Sequence, residues 1–574
     1  IMESKLICTA NEELICKNKK NIFISDWCLQ DDSVKKKILN LDYEICSYHC
    51  NHNQKKLKSD WAYLNDLYER VMIALTLKLN EYHKKNFSRK YWEIIVGPTI
   101  VQLLSIFWDR WETIIHLKKN FKINEVAILR YELSNCLPKD FEDLFTNKLD
   151  DHYWNNCIFS EILKDSFKIK IMEIIPKKNK DLKYNKKNQN IISYLKYFID
   201  LFLGKIIKEK ILFYKFSKKK YLNFIIKKFR LSRFYYEFSK QISTKKKIVR
   251  KNINLGMDSK NSFEEMLNRK LFNFIPISHL ELFEDINVYL NKIKIKPKYI
   301  VTTYGHVIND LFKIWSAEKI EKKISKIVIC SHGGTFEDKI NFNSWMNISD
   351  NFITWEKKTN IKCIQLPPTY SIEKKNIKKT KNKQILFCTA NTNLYNYRIQ
   401  DYIISSQMKT YVSFWKEFIK RLNYKTRNNL IIRHIPNIDP WHLKEEFEKI
   451  LGNNAISKKK NFLDEVKNSK IIIHTALQTT FFESMLAGVP SVVLLKEDMW
   501  NLSKSGREIY KLLKKNKIIF KDIESLINHL NNIDQDPLSW WNSKNILIVR
   551  QKFHEHFCNY QDDNKWNNYF LDLN

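Results

Sequence analysis

Lys470-Ile471-Ile472-Ile473-His474-Thr475-Ala476-Leu477-Gln478-Thr479-Thr480-Phe481-Phe482-Glu483 decides the fold class of this chain. Its short apolar run reads as a buried strand ending at His474 or Thr475, and a helix opens near Thr480 and runs to Ala487. Gly488-Val489-Pro490 closes that helix, and Ser491-Val492-Val493-Leu494-Leu495 is the next strand. The same rhythm stands upstream. Strands are expected at Gln384-Ile385-Leu386-Phe387-Cys388-Thr389 and Asn429-Leu430-Ile431-Ile432-Arg433-His434, with helices at Tyr411 to Leu422 and Trp441 to Ile450. Alternating buried strands and helices imply a parallel sheet covered on both faces.

A second αβ series precedes it. Lys298 to Thr303 reads as a strand ending in Tyr304-Gly305-His306, and a helix follows from Asp310 to Lys319. The strand Ile324 to Cys330 then runs into Ser331-His332-Gly333-Gly334. Only 9 glycines occur in 574 residues, far below the usual ~7%, so a Gly pair after a strand marks a tight turn or a close approach of backbone to a ligand. Asn351 to Trp355 and Ile361 to Leu366 are further short strands, and 371–383, poor in apolar side chains, reads as a linker. Nearer the N-terminus, Asn21 to Ser25 is a strand followed by Asp26-Trp27-Cys28, and Trp61 to Tyr82 is a long amphipathic helix. Tyr91 to Val96 is apolar before a Gly97-Pro98 stop, and another helix spans Val101 to Leu117.

The segment from about Lys164 to Asn254 differs in kind. Between Lys210 and Gly256 the only acidic residue is Glu237, while lysines and arginines alternate with aromatics, as in Phe224-Ile225-Ile226-Lys227-Lys228-Phe229-Arg230. Three readings fit: a solvated helical insertion, a membrane-surface helix, or a single-strand nucleic-acid surface. The division expected is therefore 1–163 and 257–370 as an N-terminal Rossmann-like domain, 164–256 as a basic, aromatic-rich helical insertion, 371–383 as linker and 384–574 as a C-terminal Rossmann-like domain.

Composition bounds the rest. The length requires more than one core, and with 44% hydrophobic and 13% aromatic residues the chain is not of disordered type. A net charge of +36 favours anionic partners without choosing among nucleic acid, anionic lipid and sugar nucleotides. Eleven scattered cysteines, an odd count, fit a reducing cytoplasm. Cys46, His49, Cys50 and His52 lack the second ligand pair typical of a zinc site. The N-terminal residues show no signal peptide, and no uninterrupted apolar run reaches the ~18 residues of a spanning helix. The P-loop lysine pattern, a full Gly-x-Gly-x-x-Gly, His-Glu-x-x-His and Gly-x-Ser-x-Gly are all missing, which disfavours an NTPase, a classical dehydrogenase, a metalloprotease and an αβ-hydrolase.

The residues expected to carry chemistry lie after strands, where open αβ sheets hold their ligands. At the helix opened by Thr479-Thr480, free N–H groups and the macrodipole favour a phosphate. Thr475, Thr479 and Thr480 add hydroxyls and Gln478 an amide; the alternative is ordinary capping, since Thr480 and Glu483 have capping-box spacing. Arg433-His434 and Arg398 offer positive charge for a phosphate or carboxylate, or form surface ion pairs instead. In the N-terminal half Asp26 and His332 are the candidate acid or base.

Leu6-Ile7-Cys8-Thr9-Ala10, Asp26-Trp27-Cys28-Leu29, Arg89 to Pro98, His332-Gly333-Gly334, Asn351 to Trp355 and Gln478-Thr479-Thr480-Phe481-Phe482-Glu483 together resemble a bacterial transferase family from surface-carbohydrate loci, over nearly the whole chain except the basic middle. The resemblance implies a two-Rossmann (GT-B) glycosyltransferase, similar in layout to capsule Kdo transferases and polyol-phosphate polymerases, with relatives associated with nonulosonic acids such as pseudaminic acid. Family members often have Gln before His-Gly-Gly, where this chain has Ser331. The expectation is transfer of a Kdo-like or nonulosonic acid from a CMP-linked donor to a cell-surface glycan acceptor, with Asp26 and His332 catalytic. The donor-binding set is then Gly333, Gly334, Arg398, Arg433, His434, Thr475, Gln478, Thr479, Thr480 and Glu483. No cofactor and no essential metal are expected, since a donor with a single phosphate has no pyrophosphate to neutralise. The location expected is cytoplasmic, with peripheral contact to anionic inner membrane left open and nucleic acid disfavoured as a partner. The alternatives are a CDP-glycerol-like polyol-phosphate transferase and a non-catalytic membrane-surface or nucleic-acid binder.

Overall fold

The computed structural model describes residues 3–46, 54–176, 211–216, 233–235, 253–336, 340–357, 360–368, 384–399, 403–435, 439–498, 502–504, 506–557 and 564–573, with 238, 248 and 250 besides. The described strands form three wholly parallel sheets. The first comprises β1 (Ser4–Ile7), β2 (Lys20–Phe23), β3 (Tyr43–Ile45), β4 (Glu125–Leu129) and β5 (Lys170–Ile174), in the order β3-β2-β1-β4-β5. The second comprises β6 (Ile211–Tyr214), β7 (Arg233–Tyr235), β8 (Tyr299–Thr302), β9 (Lys326–Cys330), β10 (Asn351–Thr354) and β11 (Cys363–Gln365), in the order β11-β10-β9-β8-β6-β7. The third comprises β12 (Gln384–Cys388), β13 (Leu430–Arg433), β14 (Ser469–His474), β15 (Ser491–Leu494) and β16 (Ile519–Phe520), in the order β13-β12-β14-β15-β16. Each sheet reverses its winding once, between β1 and β4, β6 and β8, and β12 and β14, and ligand crevices open at such points.

The α/β, Rossmann-like architecture expected from the alternation is present. The N-terminal half divides it between two sheets, and the reading of 164–256 as a helical insertion needs correction. Among its described residues are β5, β6 and β7, drawn into the first and second sheets. The reason is visible in Ile211-Leu212-Phe213-Tyr214, every residue of which is buried. A continuous apolar run belongs to a parallel strand covered on both faces, and basic neighbours disguise it. Most of that segment, the linker 371–383, and His49, Cys50 and His52 lie outside the described residues.

A second correction concerns Gly97-Pro98, which stops nothing. A single helix, Arg89–Asn120, runs through both. An interior proline costs about 3 kcal/mol, and burial of the whole stretch from Tyr91 to Phe107 offsets it. Gly97 lets the preceding helix, Gln54–His83, approach closely, since a Cβ there would lie 2.9 Å from the Tyr68 hydroxyl. That hydroxyl donates to Glu93 at 2.9 Å and lies 3.0 Å from Ser344 Oγ. By length and composition Arg89–Asn120 also passes for a membrane span, but 94% of its most apolar stretch is buried inside the protein.

The C-terminal boundary shifts as well. The helix Asn564–Asp572 lies on the second sheet, with Phe570 5.2 Å from Phe213 and Trp566 5.7 Å from Phe216 (ring centroids). Trp566 Nε1 donates to Pro367 O at 2.8 Å, and the Tyr569 hydroxyl accepts from Asn351 Nδ2 at 2.9 Å. The end of the chain thus serves the N-terminal half, because its apolar face covers residues that the second sheet would otherwise leave bare.

Two fully buried histidines give the fold an acid limit. Burial lowers the pKa of His306 and His474 to about 3. Each folded-state pKa lies below the unfolded value, so the unfolded chain takes up these protons first and stability is lost as pH falls below about 6.5. One such group is worth about 1.4 kcal/mol per pH unit across that window. His474→Gln should therefore flatten the acid-side decline of the thermal midpoint between about pH 6 and pH 4; a slope equal to the wild type's would contradict this.

Candidate active site

The carboxyl ends of the second and third sheets meet at His332-Gly333-Gly334. The third-sheet partner is the helix Thr479–Ala487, whose cap residue Gln478 is exposed and makes no side-chain capping bond. The expected capping box of Thr480 and Glu483 does not form, because the cap falls two residues earlier, at Gln478, whose carbonyl accepts from Phe481 N at 2.9 Å and Phe482 N at 3.3 Å. Gly333 sits against that first turn so closely that a Cβ would lie 2.2 Å from Thr479 Oγ1. Gly334 lies against the Phe482 ring, where a Cβ would meet Cδ1 at 2.3 Å. The glycine pair is thus required by contact between the two halves.

His332 is open to solvent on one side and lies against the Tyr304 ring on the other, with centroids 5.3 Å apart and planes tilted by 32°. Partial burial lowers its imidazole pKa, which keeps the ring neutral at pH 7. Ser331 turns its hydroxyl back to donate to Gly333 O at 2.8 Å, so it holds the loop. Tyr304 follows β8 at the winding reversal of the second sheet, and burial raises its phenol pKa while the charge of Arg398 opposes the rise. Arg398 itself lies over the Tyr397 ring, 4.7 Å from its centroid. Gly333 and Thr479 are thus brought together beside His332, Gln478 caps the same helix, and Arg398 is near enough to Tyr304 for its charge to act on the phenol. Tyr304 belongs with them although only its place after a strand, beside Gly305-His306, marks it in the sequence.

Other candidates are placed elsewhere or spent on structure. The Arg433 guanidinium donates to Lys459 O at 2.8 Å and Lys460 O at 3.2 Å and lies over Phe462, so it braces the segment that leads into the helix Phe462–Val466 ahead of β14. Thr475 donates from its hydroxyl to Cys388 O at 3.0 Å and accepts from Ala390 N at 2.8 Å, tying β14 to β12. His434, half-buried, has its pKa lowered by burial and follows Arg433 on the same strand end. Thr480 is half-buried in the first helical turn, and its carbonyl accepts from Ser484 Oγ at 2.9 Å. Glu483 lies half-buried one turn further on.

Asp26 opens a short 3-10 turn after β2, with Ser25 Oγ donating to its carboxylate at 3.2 Å. Burial raises its carboxyl pKa, and Lys409 and Ser25 act the other way. Beside it a small cavity is lined by Trp27, Asp109, Ser405 and Ser406 among others. No hydrogen bond or ring contact among the described residues joins Asp26 to His332. Among the described residues no group of three or more His, Cys, Asp or Glu is arranged to hold a metal, and the nine described cysteines are free thiols.

Comparison with solved structures returns distant likenesses. The wall teichoic acid polymerase TagF is 11% identical with a TM-score of 0.31, over 67% of this chain and 94% of that one. WaaG, a glycosyltransferase involved in lipopolysaccharide biosynthesis, is 9% identical with a TM-score of 0.29, over 60% and 99%. The spinosyn rhamnosyltransferase SpnG is 9% identical with a TM-score of 0.28, over 48% and 74%. Likenesses at this level bear on neither fold nor chemistry. No curated protein matches the chain. The match that identifies it is a family profile that runs from residue 4 to residue 572, through all three sheets and the crevice between His332 and Thr479: the chain belongs to the LIC12162 family of transferases.

Proposed function

We propose that this transferase is a glycosyltransferase that moves an acidic sugar of the Kdo or nonulosonic type from a CMP-linked donor to a surface-glycan acceptor in the cytoplasm. The observation that carries the reading is the seating of His332-Gly333 on the first turn of Thr479–Ala487. One crevice thereby holds a neutral imidazole and a helix N-terminus. The helix N–H groups and dipole suit the donor phosphate, and Arg398 adds positive charge. His332, deprotonated at neutral pH, takes the proton of the attacking hydroxyl as general base. Asp26, lying in its own recess, is left out of this step. Thr475 and Arg433 support the sheet edge rather than the donor.

A thermal-shift series with CMP-, UDP-, GDP- and CDP-linked donors, on wild type and Arg398→Ala, tests the donor assignment. Stabilisation by the CMP-linked compound, reduced at least tenfold in apparent affinity in the variant, is expected; no CMP preference would overturn it. Activity should survive excess chelator, because a single phosphate met by a helix N-terminus and an arginine needs no divalent ion; loss of turnover on chelation would remove that part of the reading. Phosphorus incorporated into the product would mark polyol-phosphate transfer instead.

A further inference from the structure

The segment that follows β12 is gripped by the N-terminal half almost residue by residue. Asp150 accepts from Asn393 Nδ2 at 2.7 Å and from Leu394 N at 2.7 Å. The Tyr395 hydroxyl accepts from Ala10 N at 3.3 Å and lies 2.8 Å from His152 Nδ1, while its ring meets Trp27 with centroids 4.2 Å apart. Asn396 donates through Nδ2 to Asp109 at 2.9 Å, and its carbonyl accepts from Arg110 Nη1. Arg110 is 2% exposed, and its other terminal nitrogen donates to Asn155 Oδ1 at 2.9 Å. Of the next two residues, Tyr397 contacts Phe145 with ring centroids 6.0 Å apart, and Arg398 rests on Tyr397, near enough to Tyr304 for its charge to act on that phenol.

A buried arginine bonded to a backbone carbonyl fixes that peptide in position and direction, because a guanidinium fork tolerates little rotation. Two residues past the held carbonyl, the backbone of Arg398 starts from a fixed point. We infer that Asp109, Arg110 and Asp150 are positioning residues, which hold Asn393–Asn396 and thereby place Arg398 in the crevice lined by Tyr304 and His332. The N-terminal half thus sets the geometry of a group that the C-terminal half contributes. The inference rests on the proposed donor site only in its kinetic consequence.

The experiment has two arms. In the first, amide hydrogen exchange and phenylglyoxal labelling at Arg398 are compared in wild type, Asn393→Ala, Asn396→Asp and Arg110→Lys. Asn396→Asp sets a second carboxylate against Asp109, and the two asparagine variants keep Arg110, so a folded protein remains to be measured if Arg110→Lys fails to fold. Exchange across 391–399 and labelling at Arg398 should each accelerate at least tenfold; unchanged rates overturn the inference. In the second arm, donor KM is read in a double-mutant cycle of Asn396→Asp with Arg398→Ala. Each single variant should raise KM about tenfold, and the double variant should be no worse than Arg398→Ala alone. Additive effects would show that the staple acts through something other than Arg398 and would overturn the inference. If the wild type turns over no CMP-linked donor, the proposed function falls and the first arm still decides the positioning role.

Discussion

Gly333→Ala should lower transferase turnover about a hundredfold, the scale at which a misplacement of about 1 Å disables a reacting geometry. The added methyl would sit 2.2 Å from Thr479 Oγ1 and 3.3 Å from its Cβ and Cγ2. No rotation of the new side chain relieves this, since Cβ is fixed by the backbone. Either the His332 loop retreats or the helix Thr479–Ala487 shifts, and both carry groups of the crevice. The stability cost is that of overpacking, about 1–3 kcal/mol. The pair invites a rescue. Thr479→Ala removes the clashing oxygen and one methyl, which leaves only the Cβ approach. The combination of Gly333→Ala with Thr479→Ala should therefore recover most of the lost stability in denaturant titration, while Thr479→Ala alone costs little. If the double variant is as unstable as the sum of the two singles, the close approach is not what Gly333 is for.

Phe336→Ala should be the most destabilising single change near the crevice, by about 3–5 kcal/mol. Phe336 is fully buried, and its ring lies 4.3 Å from Phe557, 5.4 Å from Phe482 and 6.1 Å from Phe553 (centroids). It comes from the loop after Gly334, in the N-terminal half, yet all three partners belong to the C-terminal half. Its carbonyl also accepts from Ser503 N at 2.8 Å, and Ser503 Oγ donates to the buried Glu356. Truncation would both empty a cavity and loosen the one loop that carries His332, so activity and stability should fall together. Phe336→Leu keeps much of the volume and should cost under half as much. Loss of stability in Phe336→Ala without increased proteolytic sensitivity between the halves would show that the ring fills space without joining them.

Much of this organisation was legible because parallel sheets advertise themselves. Every strand of the third sheet from β12 to β15 falls where a short apolar run predicts it, within a residue or two. What misled was disguise and offset. β6 hid among lysines and aromatics, and β3 and β5 are short edge strands with exposed or half-exposed residues, which leave no apolar run to read. Gly97-Pro98 reads as a stop because local propensity cannot register the burial around it. At the site, the sequence offers residue types and not their partners. His332 and Thr479 looked like opposite walls of a cleft, and only the structure shows that Gly333, next to His332, lies against Thr479. Arg433 looked equal to Arg398, since sequence cannot tell that two backbone carbonyls occupy its fork. Tyr304 left only the signal of following a strand at a reversal in winding, and the winding itself was unknown.

The terminal helix that lies on the second sheet makes the two halves unfit for separate life. A fragment cut at the linker and holding only 384–574 would carry Trp566, Tyr569 and Phe570 as an uncovered aromatic surface, a patch prone to self-association. The complementary fragment would expose the face of Phe213, Val301, Val328 and Ile353 that this helix shields. Each piece holds the other's missing cover, so the halves should be insoluble apart and should reassemble when produced together.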